Sequence, residues 1–117
     1  MAQELMLTTL LNLGFKQQDA EVYVFLVLNG SQNAKDIADN LKKYKGRISS
    51  TLRKLEDKKI IRMTPSVPAQ FSAIPFDRVL DKLIRDNVEQ INRIEQEKER
   101  ILTLWKSRIK SDPAIGQ

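Results

Sequence analysis

The sequence predicts a mainly α fold with a small β component, of the α+β kind, ending in one long helix. Three observations predict it. Aliphatic residues recur at helical spacing along most of the chain, while Gly and Pro are scarce at four each. A β-branched run, Ile60-Ile61-Arg62-Met63-Thr64, is followed after a turn by the alternating Gln70-Phe71-Ser72-Ala73-Ile74. From Asp77 to about Lys110 there is neither Gly nor Pro. At 117 residues the chain fits one compact domain with an extension outside its core.

The elements come in order. Apolar residues at 5, 6, 7, 10, 11 and 13 predict a helix over Leu5 to Leu13, buried on most of its circumference, with Gly14 as its C-cap. A second helix covers Lys16 to Leu28, with Ala20, Val24 and Val27 or Leu28 on one face. Asn29-Gly30 ends it, since both residues tolerate the left-handed conformation. Asn33-Ala34-Lys35-Asp36 has the form of a capping box and opens a helix to about Leu41, with Ile37, Ala38 and Leu41 inward. Lys42-Lys43-Tyr44 makes a tight break. Lys45 to Lys59 is the next helix, with Ile48, Thr51 or Leu52, and Leu55 facing inward. Two short helices so closely spaced predict a helix-turn-helix. The β-branched and alternating runs form a hairpin around Pro65-Ser66-Val67-Pro68-Ala69, and Tyr23, Phe25 and Phe71 are expected in the core. Pro75 marks the break before the last helix, which Asp77 caps.

That helix carries a heptad seam. With Ile84, Ile91, Lys98 and Trp105 at a positions, Leu80, Asn87, Ile94, Ile101 and Arg108 fall at d. Its ~50 Å length exceeds what so small a domain needs, so the seam is expected to pair with a second copy. Asn87 and Lys98 are either tolerated polarity or fix the register. Trp105 either packs as core or seals the seam. The expected organisation is therefore a domain over residues 1–75, a coiled-coil-type dimerisation helix over 76–110 and a flexible tail over 111–117.

Composition excludes several chemistries. No Cys and no His are present, so disulfides, zinc-thiolate sites and the usual general base are all missing. No phosphate-binding glycine loop, metal-ligand spacing or nucleophile-base pattern occurs; no enzyme, metal or cofactor is expected. The N-terminus lacks the basic start of a signal peptide, and Val22 to Leu28 is too short to span a bilayer. A soluble, cytoplasmic protein without a membrane partner is the expectation.

The net charge of +5 is uneven. Residues 31–75 carry ten basic and four acidic side chains, whereas residues 1–30 carry one basic and three acidic. A solvated basic face is one explanation, and a polyanion-binding patch is the other. Position decides between them. Three helices and a two-stranded ribbon, with the charge between them, is the layout of a winged helix-turn-helix, whose recognition helix enters the major groove by its first turn. Lys42, Lys43, Tyr44, Lys45, Gly46 and Arg47 lie at that turn and the loop before it, with Ser49, Ser50 and Arg53 further along. Arg47, Ser50 and Ser49 are the candidates for base edges, and the lysines for phosphates. Gly46 reflects either close backbone approach to a ligand or a loose first turn.

Leu13-Gly14-Phe15, Asp19-Ala20-Glu21-Val22-Tyr23, Ala34-Lys35-Asp36-Ile37-Ala38 and Arg47-Ile48, followed by Leu52 to Ile61, resemble the DNA-binding domain of the archaeal TrmB-like transcriptional regulators. Phe71-Ser72-Ala73-Ile74-Pro75 and Val79-Leu80 resemble the same family's passage from wing to following helix. The similarity covers about residues 5–85. It implies transcriptional regulation by dimers on double-stranded DNA, with Lys45, Gly46 and Arg47 leading the recognition helix. Larger family members add a C-terminal sugar-binding domain that this sequence does not reach, so no small-molecule effector is expected. The wing tip, Pro65 to Gln70, has no basic residue where many winged helices place one. That bare wing supports an alternative: a winged-helix protein-interaction module within a larger assembly.

Overall fold

A computed structural model of the protein describes residues 1–109; the expected tail over 111–117 lies outside them. Five helices and three short strands run in the order α1 (Ala2–Asn12), α2 (Gln17–Asn29), β1 (Gln32–Asn33), α3 (Ala34–Leu41), α4 (Lys45–Asp57), β2 (Ile61–Thr64), β3 (Gln70–Ala73) and α5 (Phe76–Arg108). Three helices followed by a hairpin form a winged helix-turn-helix, with α1 ahead of it and the long α5 behind.

Local chemistry explains the breaks. Gly14, at φ 103, turns the chain out of α1 while the Phe15 and Gly14 amides donate to the carbonyls of Leu10 and Leu11. This double closure consumes carbonyls a helix end otherwise leaves orphaned. Gly30, at φ 78, ends α2. Asn33 caps α3 as its position predicts, its side-chain oxygen accepting from the Asp36 amide at 2.8 Å. The turn after α3 uses Lys42 in the left-handed region at φ 56, and the Lys43 amide reaches back to the Ala38 carbonyl at 2.9 Å. Helix α4 stops at Asp57, two residues before the expected Lys59. Lys59 itself is left-handed at φ 62, and the Ile60 amide closes onto the Leu55 carbonyl.

The hairpin pairs Ile61 with Ala73 and Met63 with Phe71, and the Ile74 amide extends it to the Ile60 carbonyl. A third strand is new. Gln32 and Asn33 pair antiparallel with Phe71 and Gln70, giving the order β1-β3-β2. Two residues carry no periodicity, so nothing local marks them as a strand.

The core is built from Tyr23 and Leu26 of α2, Ile37 of α3, Ile48, Leu52 and Leu55 of α4, Ile60, Ile61 and Val79, all essentially buried. Tyr23 anchors it. Its ring stacks on Phe76 at 6.4 Å and meets Phe15 edge-on at 6.5 Å, and its hydroxyl donates to the Ile74 carbonyl at 2.7 Å. Burial, then the Asp77 carboxylate, pushes the phenol's pKa upward, so it stays a neutral donor. Phe25 and Phe71 are half-buried against this cluster.

Two expectations need correction. Helix α1 is not buried around most of its circumference: only Leu10 is fully inside, with Met6 and Leu7 partly covered and Leu5 69% exposed. The helix packs one face on α2 and has no layer on its other side. Asp77 does not cap α5, which begins at Phe76; its carboxylate instead accepts from the Arg78 amide inside the first turn. The compact first unit runs Met1–Ile84, because Phe76, Val79 and Leu83 of α5 pack into it.

The second unit starts at Arg85, and its described part is helix to Arg108. No described residue of it is buried. Seam residues Ile91, Ile94, Ile101 and Trp105 are 60%, 54%, 50% and 49% exposed. Trp105 is therefore not a core residue of its own chain.

Candidate nucleic-acid interface

The basic segment sits where α3 gives way to α4. Ile48, Thr51, Leu52 and Leu55 turn inward from α4, which leaves the opposite face outward. Lys45, Gly46, Arg47, Ser50 and Arg53 on that face are exposed, and Ser49 is half-buried. Lys42, Lys43 and Tyr44 of the preceding turn are exposed too, Tyr44 at 85%. All nine residues singled out from the sequence thus fall on or beside one turn-and-helix segment. None is sequestered in the core.

Electrostatics reinforce the placement. The first turn of α4 holds no acid, and its N-cap residue, Tyr44, makes no side-chain cap bond. The leading amides are left unmatched by any side chain, beside Lys45 and Arg47, at the end of the helix where the dipole is positive. A phosphate fits such an end. Lys42, Lys43, Lys45, Arg47 and Arg53 form no side-chain hydrogen bond or ion pair among the described residues. Lys35 differs, since a 2.9 Å bond to Asp39 one helical turn on raises its pKa. Gly46 meets open space: a Cβ added there would find no heavy atom within 4 Å. Nothing inside the chain demands a glycine at that point.

Residues that sequence reasoning passed over hold α4 in place. Gln18 of α2 donates its side-chain amide to the Thr51 hydroxyl at 2.7 Å and to the Arg47 carbonyl at 3.5 Å. Asp19 pairs with Lys54 at 2.8 Å, its carboxylate 8% exposed and the lysine 39%. A largely buried carboxylate bound to a half-buried ammonium fixes the rotation of α4 about its axis. Lys54 is consequently structural, unlike Arg53 beside it. No local pattern announces these bonds, because their partners lie more than 25 residues apart.

The wing offers a different surface. Between β2 and β3 the loop exposes Val67 completely, and Ser66 donates its hydroxyl to the Pro68 carbonyl at 2.8 Å. Among the described residues no helix is long and apolar enough to cross a membrane, and no group of acids could hold a metal ion.

Comparison with known proteins agrees with this architecture. A structure of TrmBL2, an archaeal chromatin protein described as showing a novel mode of DNA binding, superposes with a TM-score of 0.72 at 24% identity, covering 95% of this chain and 45% of that one. The present chain therefore spans less than half the length of that protein. MepR from Staphylococcus aureus, a transcription regulator of a multidrug efflux pump, matches at TM-score 0.52 and 18% identity over 90% of this chain and 88% of its own. A point mutant of MepR, solved bound to an oligodeoxyribonucleotide, matches at TM-score 0.55 and 20% identity over 89% of this chain and 87% of its own. At such identities these likenesses establish the winged-helix fold. No curated protein matches by sequence. The family model described as "Sugar-specific transcriptional regulator TrmB" matches residues 10–77, more than half of the sequence, and the chain belongs to the TrmB family of transcriptional regulators.

Proposed function

We propose that the protein is a sequence-specific DNA-binding transcriptional regulator that acts as a homodimer. One observation carries this reading: Lys42, Lys43, Lys45 and Arg47 stand exposed and, among the described residues, without ionic partners at the uncapped start of a helix whose rotation is fixed by Gln18 and Asp19. In this account α4 enters the major groove by its first turn. Lys42, Lys43 and Lys45 bind phosphates and set the register, while Arg47, with Ser50 and Ser49, meets base edges. Tyr44 and Arg53 flank the contact. The absence of a steric need for Gly46 favours close approach of its backbone to the duplex.

The homodimer is inferred from the second unit. A helix whose every large apolar side chain is about half exposed leaves substantial surface in water at roughly 25 cal/mol per Å². Leu80, Ile84, Asn87, Ile91, Ile94, Lys98, Ile101 and Trp105 supply the pairing seam. Two joined copies would read half-sites ~34 Å apart or a multiple of that.

Duplex binding by the single variants Lys45→Ala and Arg47→Ala tests the reading. Lys45→Ala weakens all sequences alike, and Arg47→Ala also relaxes discrimination at one base position, each such contact contributing about 1–3 kcal/mol. Duplex binding unaffected by both would remove the account and leave the winged-helix interaction module, for which the bare wing tip and exposed Val67 speak.

A further inference from the structure

A second basic site lies on another part of the domain. The loop entering α2 and the last turn of α4 enclose a cavity of about 170 Å³, lined by Gly14, Phe15, Lys16, Asp19, Lys54, Leu55, Lys58 and Ile60. It shares no residue with the nine assigned above to DNA. Three lysines line it against a single acid, and that acid is already taken: Asp19 holds Lys54 at 2.8 Å. Lys16 and Lys58 form no side-chain hydrogen bond or ion pair among the described residues. Lys16 and Lys58 thus line the cavity with charge that no acid of its wall balances, beside the apolar Phe15, Leu55 and Ile60. Like charges on one concavity repel.

We propose that this cavity binds a small oxyanion, a phosphate or a carboxylate, through Lys16 and Lys58, with Lys54 shared between the anion and Asp19. Size permits it, since a cavity of about 150 Å³ accommodates a molecule as large as benzene. Chemistry favours it as well, because bonds from ammonium groups to an ionised oxygen are among the strongest a protein makes at its surface. The location gives the site a consequence. Asp19 and its neighbour Gln18 are the residues that hold α4, so an anion bridging Lys16 and Lys58 ties the first turn of α2 to the last turn of the recognition helix.

Thermal unfolding of the full chain in inorganic phosphate, against sodium chloride of equal ionic strength, tests the site. The midpoint rises with the logarithm of phosphate concentration, by roughly 4–8 °C once the anion exceeds its dissociation constant about fivefold. The double variant Lys16→Ala/Lys58→Ala loses the rise, and Lys35→Ala, whose lysine lies outside the cavity, retains it. Acetate as a parallel arm separates the two anion sources, a rise there beyond that of sodium chloride at equal ionic strength marking a carboxylate site. Amide chemical shifts under titration localise binding, with changes expected at residues 14–19 and 54–60. A midpoint that tracks ionic strength alone in both salts, or an equal rise in the double variant, overturns the proposal. Neither result bears on duplex binding through Lys45 and Arg47.

Discussion

Tyr23 is the largest fully buried side chain, and it joins the Phe15 and Phe76 rings and donates to the Ile74 carbonyl at the root of the wing. Tyr23→Phe leaves the packing and removes one hydrogen bond, so chemical denaturation should register a loss of about 1 kcal/mol near neutral pH. Linkage sets the alkaline behaviour. The folded-state pKa lies above the unfolded value near 10, so the native state keeps a proton that the unfolded chain loses. That contribution is complete below pH 10 and disappears as pH climbs from 10 toward the folded value. Stability measured above about pH 10 should therefore fall more steeply in the wild-type protein than in Tyr23→Phe; parallel profiles would deny the phenol this role. Gly46 is a second point at which one atom decides. Gly46→Ala has room for its methyl group and should stabilise the helix by about 0.5–1 kcal/mol, while duplex affinity falls if the backbone there touches DNA. Unchanged affinity would favour the loose-turn explanation. The basic residues of this segment were legible because charge and helix position are local properties. Gln18 and Asp19 were not, since a polar side chain does not reveal a partner in another helix.

Among the elements, helix ends were read better than helix surroundings. The Asn33 cap, Gly14 and Gly30 act through neighbours in sequence, and the structure places all three as their chemistry requires. Strand β1 and the exposed outer face of α1 depend on what lies across from them, which periodicity cannot supply. The continuation of the core into α5 is similar: Phe76, Val79 and Leu83 join the core cluster through packing that spacing does not reveal. Two helix stops make a matched pair for experiment. Lys42 and Lys59 both occupy the left-handed region, at φ 56 and 62, where an L side chain costs about 1–2 kcal/mol. Replacing either with Gly should gain about 0.5–1 kcal/mol, the remainder being lost to the freer unfolded chain. Only Lys42→Gly should also weaken duplex binding, because Lys59 lies past the far end of α4. Equal effects of the two changes on binding would contradict the assignment of Lys42 to phosphate.

At the scale of the whole molecule, a domain that buries its own core is followed from Arg85 by helix in which no described residue is buried. The domain is complete by Ile84, and the helix beyond it has an apolar seam in need of a partner. Ile91→Asp combined with Ile94→Asp places charges on that seam without touching the domain. If the proposed homodimer forms, sedimentation should report a dimer for the wild-type chain and a monomer for this variant, with helical content of residues 1–84 preserved and duplex affinity lowered by loss of the second half-site. An unchanged sedimentation coefficient would exclude pairing through this helix. The heptad was legible from spacing alone, whereas the sense of pairing, parallel or antiparallel, is not encoded in one chain's exposure. The central claim, that the exposed lysines and Arg47 meet a polyanion, is tested most directly by the salt dependence of duplex binding. The logarithm of affinity should fall linearly with the logarithm of salt, at a slope of about −0.9 per phosphate neutralised. Lys45→Ala should make that slope shallower by about one unit. Affinity indifferent to salt, or a slope that Lys45→Ala leaves intact, would contradict it.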